Sequence, residues 1–217
     1  MFENFKTFET TYAGRPVVVE TGKTCGLANG SCWVRYGETV VMANVTASAK
    51  PREGVDFFPL SVDFEEKMYA VGKIPGGFNK REGKASEHAI LTSRVIDRPM
   101  RPLFPKDYRN DVTLVNMVMS VDPECNPEIP AMLGSSIATC ISDIPFAGPC
   151  AMTQVGMIDG EFIINPSQEQ WKKGDMQLTV ASTSEKVIMI EAGANEVPEA
   201  VMIDAIYKAH DVNQTLI

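Results

Sequence analysis

Gly72-Lys73-Ile74-Pro75-Gly76-Gly77-Phe78-Asn79-Lys80-Arg81-Glu82-Gly83 runs almost directly into Ser86–Phe104, SEHAILTSRVIDRPMRPLF. A glycine-punctuated loop offering one aromatic and three cations is thus followed by a segment studded with arginine. Ser86 is a good N-cap, and Ala89, Ile90, Ser93, Ile96 and Asp97 recur at helical spacing until Pro99, where the helix is expected to stop. From Lys73 to Arg109 there are nine cations (Lys73, Lys80, Arg81, Lys84, Arg94, Arg98, Arg101, Lys106, Arg109) and four acids (Glu82, Glu87, Asp97, Asp107), in a chain of net charge −8. Charge this segregated points to a local site for a polyanion. A solvated loop, with helix arginines paired to acids elsewhere in the fold, accounts for the composition equally well.

Toward the N-terminus, period-2 alternation and β-branched residues dominate. Phe5–Tyr12 and Arg15–Thr21 flank Ala13-Gly14, and Gly30–Tyr36 and Thr39–Ala47 flank Gly37-Glu38, so two hairpins are expected. Phe57–Phe64 reads as a further strand. Toward the C-terminus, Asp111–Val121 is apolar nearly throughout and reads as a central strand. Glu128–Ser142 reads as a buried helix, because Ala131, Gly134, Ser135 and Ala138 allow close packing. Strands are then expected at Cys150–Ile158, Glu161–Ile164, Asp175–Thr183 and Lys186–Ala192, and an amphipathic helix at Glu196–His210. Helices do not alternate one for one with strands. The fold class expected is therefore α+β, mixed β-sheets packed with about three α-helices, in one domain over residues 1–217.

The 217 residues are 44% hydrophobic and 22% charged, ordinary for a globular protein with a substantial core. Met1-Phe2-Glu3-Asn4-Phe5-Lys6 lacks the cationic start and apolar run of a signal peptide, and no stretch approaches the length of a membrane span. Five cysteines without a CxxC pair fit reduced, mostly buried thiols. Only His88 and His210 are present, which leaves almost no material for a histidine metal cluster or a Ser-His-Asp triad; each His reads first as structural. The expectation is a cytoplasmic chain without a membrane partner. An acidic pI of about 4.9 argues against a histone-like coat of positive charge, but leaves a focused nucleic-acid site open.

The run Gly76–Gly83, then Ser86-Glu87, then Ile96-Asp97-Arg98-Pro99-Met100-Arg101-Pro102-Leu103-Phe104-Pro105 resembles the bacterial polynucleotide phosphorylases, in the first of their two RNase PH-type cores. Glu20–Lys23, Arg35–Thr39 and Ile144–Pro149 fit the same pattern, so the likeness spans essentially the whole chain. It implies an RNase PH-like fold and, for the whole enzyme, phosphate-dependent 3′-to-5′ degradation of RNA, mRNA included, with release of nucleoside diphosphates. It implies single-stranded RNA as substrate, inorganic phosphate as co-substrate, and a homotrimeric ring in which each subunit supplies two cores. An RNA-degradation complex is a further partner it suggests. The loop aligned with Phe78, Asn79, Lys80 and Arg81 would grip RNA at the channel mouth. The family usually carries Phe-Phe-Arg-Arg there, and Asn79 removes one stacking face. Arg94, Arg98 and Arg101 could bind RNA or serve a subunit interface; their spacing beside Asp97 leaves both open.

The catalytic side of the pattern is missing, so no catalytic and no metal residue is expected in this chain. The phosphate-binding loop of the family's second core falls here on Cys125-Asn126-Pro127-Glu128, where Pro127 removes an amide donor and Glu128 repels phosphate. Gly134-Ser135-Ser136 lies too far along and reads as a helix packing face. The carboxylates that hold Mg2+ in the second core align with Trp171 and Gln177, leaving only Asp175. Magnesium ligands are therefore expected outside this chain, which ends directly after its last helix and reads as a fragment. Two alternatives stand beside this reading: a structural ring subunit whose basic segment contacts protein, and a stand-alone RNase PH-type nuclease.

Overall fold

Ala13 and Gly14 both take positive φ, 48° and 77°, the backbone twist that a two-residue hairpin turn requires. In the computed structural model this turn joins β1 (Lys6–Tyr12) to β2 (Arg15–Thr21), in full antiparallel register. The structure describes residues 4–217; Met1, Phe2 and Glu3, part of the stretch read above for a signal peptide, lie outside the described residues. Gly37, at φ 58°, turns β3 (Gly30–Tyr36) into β4 (Thr39–Ala47). With β5 (Leu60–Glu66) and β6 (Val112–Ser120) these strands form one six-stranded sheet in the order β1-β2-β3-β4-β6-β5. Only β5 is parallel to its neighbour, pairing Leu60 with Val112 and Glu66 with Val118. The connection between those two strands carries the 3-10 turn Met68–Val71, the long glycine-rich loop, α1 (Glu87–Met100) and a second 3-10 turn, Arg101–Leu103.

The second sheet is antiparallel, in the order β10-β9-β7-β8, from β7 (Ala151–Ile158), β8 (Glu161–Ile164), β9 (Met176–Ser182) and β10 (Val187–Ala194). Between the sheets lies α2 (Glu128–Cys140), which touches β3, β4 and β6 on one side and β7 on the other. It is buried around most of its circumference, as a helix between two layers must be. Gly134 sets how closely it approaches: a Cβ there would lie 2.8 Å from the Ala43 Cβ of β4. Ser135 hydroxyl donates to Asn116 Oδ1 on β6 at 2.9 Å, and Ser136 hydroxyl accepts the Cys150 amide. The Gly-Ser-Ser run is thus a packing face, as its helical position implied.

One apolar cluster runs from Val34, Val41 and Leu114 through Met132 to Met152 and Ala181, and a smaller one lies under α4 (Glu199–Leu216). A buried polar knot joins distant parts of the chain. Tyr12 hydroxyl donates to Met152 O and contacts Thr153, whose hydroxyl donates to Asn213 Oδ1 at 2.7 Å; Asn213 in turn donates to Val180 O and Ser182.

Several expectations are corrected by the structure. The helix after Ser86 does not stop at Pro99. Proline there removes one intrahelical donor in the last turn, and the Arg101 amide still closes onto Asp97 O. The strand read at Phe57–Phe64 is Leu60–Glu66, because pairing with β6 sets its limits. The closing helix starts after Pro198 and continues to Leu216, with Asn213 extending the buried Ala205-Ala209 stripe. Among the described residues there are four α-helices where about three were expected: α3 (Gln168–Lys173) is short, but its Ser167–Gln170 capping box is complete and was present in the sequence. The expected α+β class and mixed sheets are otherwise observed.

Gly134→Val tests the helix–sheet spacing. Gain in helix propensity is at most about 1 kcal/mol, whereas overpacking typically costs about 1–3 kcal/mol. Urea denaturation should show a net loss of stability; an unchanged or raised midpoint would mean that α2 can shift freely on β4.

Candidate nucleic-acid interface

The cationic loop leaves β5 at Lys67, makes one 3-10 turn and reverses at Gly72, where φ is 68°. Lys73 amide donates back to Met68 O, and Lys80, itself at positive φ of 49°, donates to Gly77 O. Met68 amide also donates to Glu82 Oε1 at 3.2 Å. Its own backbone amide and that of Met68 hold the Glu82 carboxyl below the usual carboxylate range. The result is a loop folded back on its own start, with its tip directed to solvent.

Phe78 is wholly exposed at that tip, and Ile74 is largely exposed beside it in sequence. A buried role for Phe78 is thereby excluded. Asn79, Lys80 and Arg81 are exposed as well. The loop, β5 and α1 enclose a cleft of about 920 Å³, on which Arg81, Lys84 and Arg94 converge. Among the described residues no ion pair engages Lys73, Lys80, Arg81, Lys84 or Arg94. These five cations have no ion-pair partner among the described residues and can engage an external polyanion, although Asp63, Glu65, Glu66 and Glu82 also line the cleft.

The other two helix arginines are placed differently. Arg98 pairs with Glu191 of β10 at 2.7 Å. Arg101 pairs with Asp97 at 2.6 Å, donates to the carbonyls of Phe58 and Leu60, and lies over the Phe58 ring. Arg94 therefore joins the loop cations, while Arg98 and Arg101 tie α1 to neighbouring elements of the same chain. Lys84, which the sequence reading entered only in the charge balance, belongs to the cleft. The signal that could have found it is its position one residue past the Gly83 turn, on the approach to the helix cap.

At the start of α2 a carboxylate is held by side chains of other elements. Asn126 Oδ1 accepts the Glu128 amide, and the Glu128 carboxylate accepts from Thr92 hydroxyl at 3.1 Å, His88 Nε2 at 3.1 Å and Gln154 Nε2 at 2.6 Å. A side-chain carboxylate thus stands at the helix N-terminus, held by side chains of α1 and β7 and not by the helix amides. In the Trp171–Gln177 string, Gln177 Nε2 donates to Trp171 O at 2.7 Å, and Asp175 is the single carboxylate. Among the described residues no set of His, Cys, Asp and Glu side chains is arranged to hold a metal ion. The donor set does not fit magnesium: an amide already engaged with a backbone carbonyl and one lone carboxylate supply too few hard oxygen ligands.

Comparison with known proteins gives the family. The family model described as 3′ exoribonuclease family, domain 1, matches residues 13–145, and that for domain 2 of the same family matches residues 148–212. The polyribonucleotide nucleotidyltransferase of Lachnoclostridium phytofermentans is 67% identical over 213 residues, covering 98% of this chain and 30% of that protein. That of Clostridioides difficile is 62% identical over 210 residues, covering 97% and 30%. The chain therefore spans about 30% of the length of the curated relatives it matches. Among solved structures, rice (Oryza sativa) Rrp46 superposes with a TM-score of 0.72 at 12% identity, over 100% of this chain and 92% of that one. A chain of the Archaeoglobus fulgidus exosome, solved with RNA bound to the active site, gives 0.70 at 16% identity, over 100% and 87%. These two likenesses establish an RNase PH-like fold, and the matched models establish that the chain belongs to the 3′ exoribonuclease family.

Proposed function

We propose that this chain is the RNA-gripping, ring-forming first core of a polynucleotide phosphorylase, a phosphate-dependent 3′-to-5′ exoribonuclease that releases nucleoside diphosphates. The observation that carries the reading is the solvent-directed tip of the 73–84 loop, with Phe78 fully exposed above cations that have no internal partner. Glycines let the backbone approach a strand closely. Phe78 offers a face on which any base can stack, and Lys80 and Arg81 neutralise phosphates. Such contacts do not read sequence, which suits a processive enzyme. High identity to polyribonucleotide nucleotidyltransferases supports the same assignment.

In this reading residues 1–217 form one RNase PH-like core of a cytoplasmic homotrimer, and the second core of the longer chain performs the chemistry with phosphate and Mg2+. Glu128 at the α2 N-terminus supports that division of labour, because its carboxylate, held in place by Gln154 and His88, would repel a phosphate there. The half-exposed Leu91 on α1, which does not line the cleft, favours a protein contact for the outer face of that helix, either with another subunit or with the second core. The structural-subunit reading thus describes part of the same surface; the loop cations distinguish it from a pure scaffold.

Two experiments test the assignment. The isolated chain should release no ADP from oligo(A) with phosphate and magnesium; release that Asp175→Asn abolishes would place a working site here. In the full-length enzyme, Lys80→Ala with Arg81→Ala should weaken binding of long single-stranded RNA and leave reaction on very short oligomers nearly intact. Loss of two phosphate contacts should flatten the salt dependence by about 1.4, from ~0.7 per contact. Phe78→Ala should cost roughly 1–3 kcal/mol of binding with little change in that slope. Equal loss on short and long RNA, or an unchanged slope, would make the loop structural.

A further inference from the structure

The loop that carries Phe78 and the free cations begins just after Glu66 and ends at Ser86, and one carboxylate holds both ends. Glu66 Oε2 accepts the Ser86 hydroxyl at 2.6 Å, and Glu66 Oε1 lies 2.9 Å from His88 Nδ1. We propose that Glu66, Ser86 and His88 form a clasp that closes the base of this loop and holds its cations in position for RNA. The inference rests on the RNA-gripping reading above.

The hydrogen bonds are mutually consistent. Ser86 Oγ accepts the Ala89 amide at 3.0 Å as the α1 N-cap, so its single proton is free for Glu66. His88 faces a carboxylate with each ring nitrogen: Glu66 through Nδ1, and Glu128 through Nε2 at 3.1 Å. A neutral imidazole carries one N–H, so only the imidazolium donates to both. The charged groups facing the ring are Glu66 from β5 and Glu128 from α2; Thr92 of α1 shares Glu128, and the Phe64 ring of β5 stands edge-on. The bond to Glu128, with Glu66 adding to it, pushes His88 up to about 9 against the opposing effect of burial. The clasp thereby links the loop base to the α2 N-terminus, and the Met68–Glu82 bond folds the loop a second time above it.

A segment containing Gly72, Gly76, Gly77 and Gly83 would otherwise sample many conformations and spread its cations, and closing it costs chain entropy. Fixing its base before RNA arrives lowers the ordering cost of binding. The clasp residues are positioning residues: Glu66 and Ser86 lie in the wall of the cleft, and they act through Lys80, Arg81 and Phe78. The pH dependence follows from the raised value. A group whose value rises from 6.5 to about 9 on folding contributes fully below about 6.5, and that contribution is lost as pH rises through about 9.

The test measures hydrogen-exchange protection factors for amides 68–86, and binding of a 20-nucleotide oligo(A) at low salt, in this chain and four variants. Glu66→Ala should lower loop protection and RNA affinity by roughly three- to tenfold, the scale of one or two net hydrogen bonds. Glu66→Gln, which retains an acceptor for Ser86, should fall between it and the unaltered chain. Loop protection in the unaltered chain should decline between about pH 8 and 10, whereas His88→Gln should be low and flat across that range. Lys80→Ala/Arg81→Ala should weaken binding while leaving loop protection unchanged. If neither Glu66 variant changes protection or affinity while the double mutant weakens binding, the clasp is overturned and the grip stands. Unchanged binding in the double mutant overturns the grip, and with it the role given to the clasp.

Discussion

The parallel pairing of β5 with β6 is the constraint on which the rest of this structure depends. Every other neighbouring pair in the two sheets is antiparallel. A parallel pair needs a long crossover, because the chain must return to the end at which it started. Here that crossover spans residues 67–111 and contains the glycine-rich loop, α1 and both 3-10 turns. The cationic tip, the cleft and the helix arginines are therefore all carried by one topological requirement of the sheet. Their rigid base is supplied by α1 packing on β5 and by α2 held between the sheets.

Electrostatics then divides the cations into two groups. Arg98 and Arg101 are spent inside the fold, on Glu191 and Asp97, whereas Lys73, Lys80, Arg81, Lys84 and Arg94 have no acid to neutralise them. Asp63, Glu65, Glu66 and Glu82 line the cleft, and the last three are held there by neighbouring groups. Glu82 accepts a backbone amide, Glu66 accepts from Ser86 and His88, and Glu128 sits among Thr92, His88 and Gln154. A chain of net charge −8 can thus present a locally positive surface, because what a polyanion meets is set by charges within about a Debye length. His88 bonds both Glu66 at the loop base and Glu128 at the α2 N-terminus, so one ring holds the two acids.

What the sequence revealed followed from local physics. Ala13-Gly14 and Gly37 dictate their hairpins through backbone conformation, and Ser86 caps α1 as its position implied. The small-residue face of α2 was legible because Gly134, Ser135 and Ala138 fit only close packing. The parallel register of β5 was not legible, since period-2 alternation is identical in parallel and antiparallel strands. Pro99 misled because its effect depends on how near the helix end it falls. Within the site, Phe78, Lys80 and Arg81 stood out by composition. The separate fates of Arg94, Arg98 and Arg101 did not, because Glu191 lies more than ninety residues from Arg98 and only the fold brings them together. His88 was read first as structural; its two carboxylate partners come from β5 and α2, and neither is a sequence neighbour.

The central claim is that the loop tip touches RNA. Photo-cross-linking of this chain to a 4-thiouridine-labelled oligonucleotide, with mass spectrometry of the adducts, reads that contact directly. The account predicts adducts concentrated at Phe78 and its neighbours in the 73–84 loop, suppressed by raised salt. Adducts confined to other surfaces, or a loop left unmodified while RNA is bound, would contradict it.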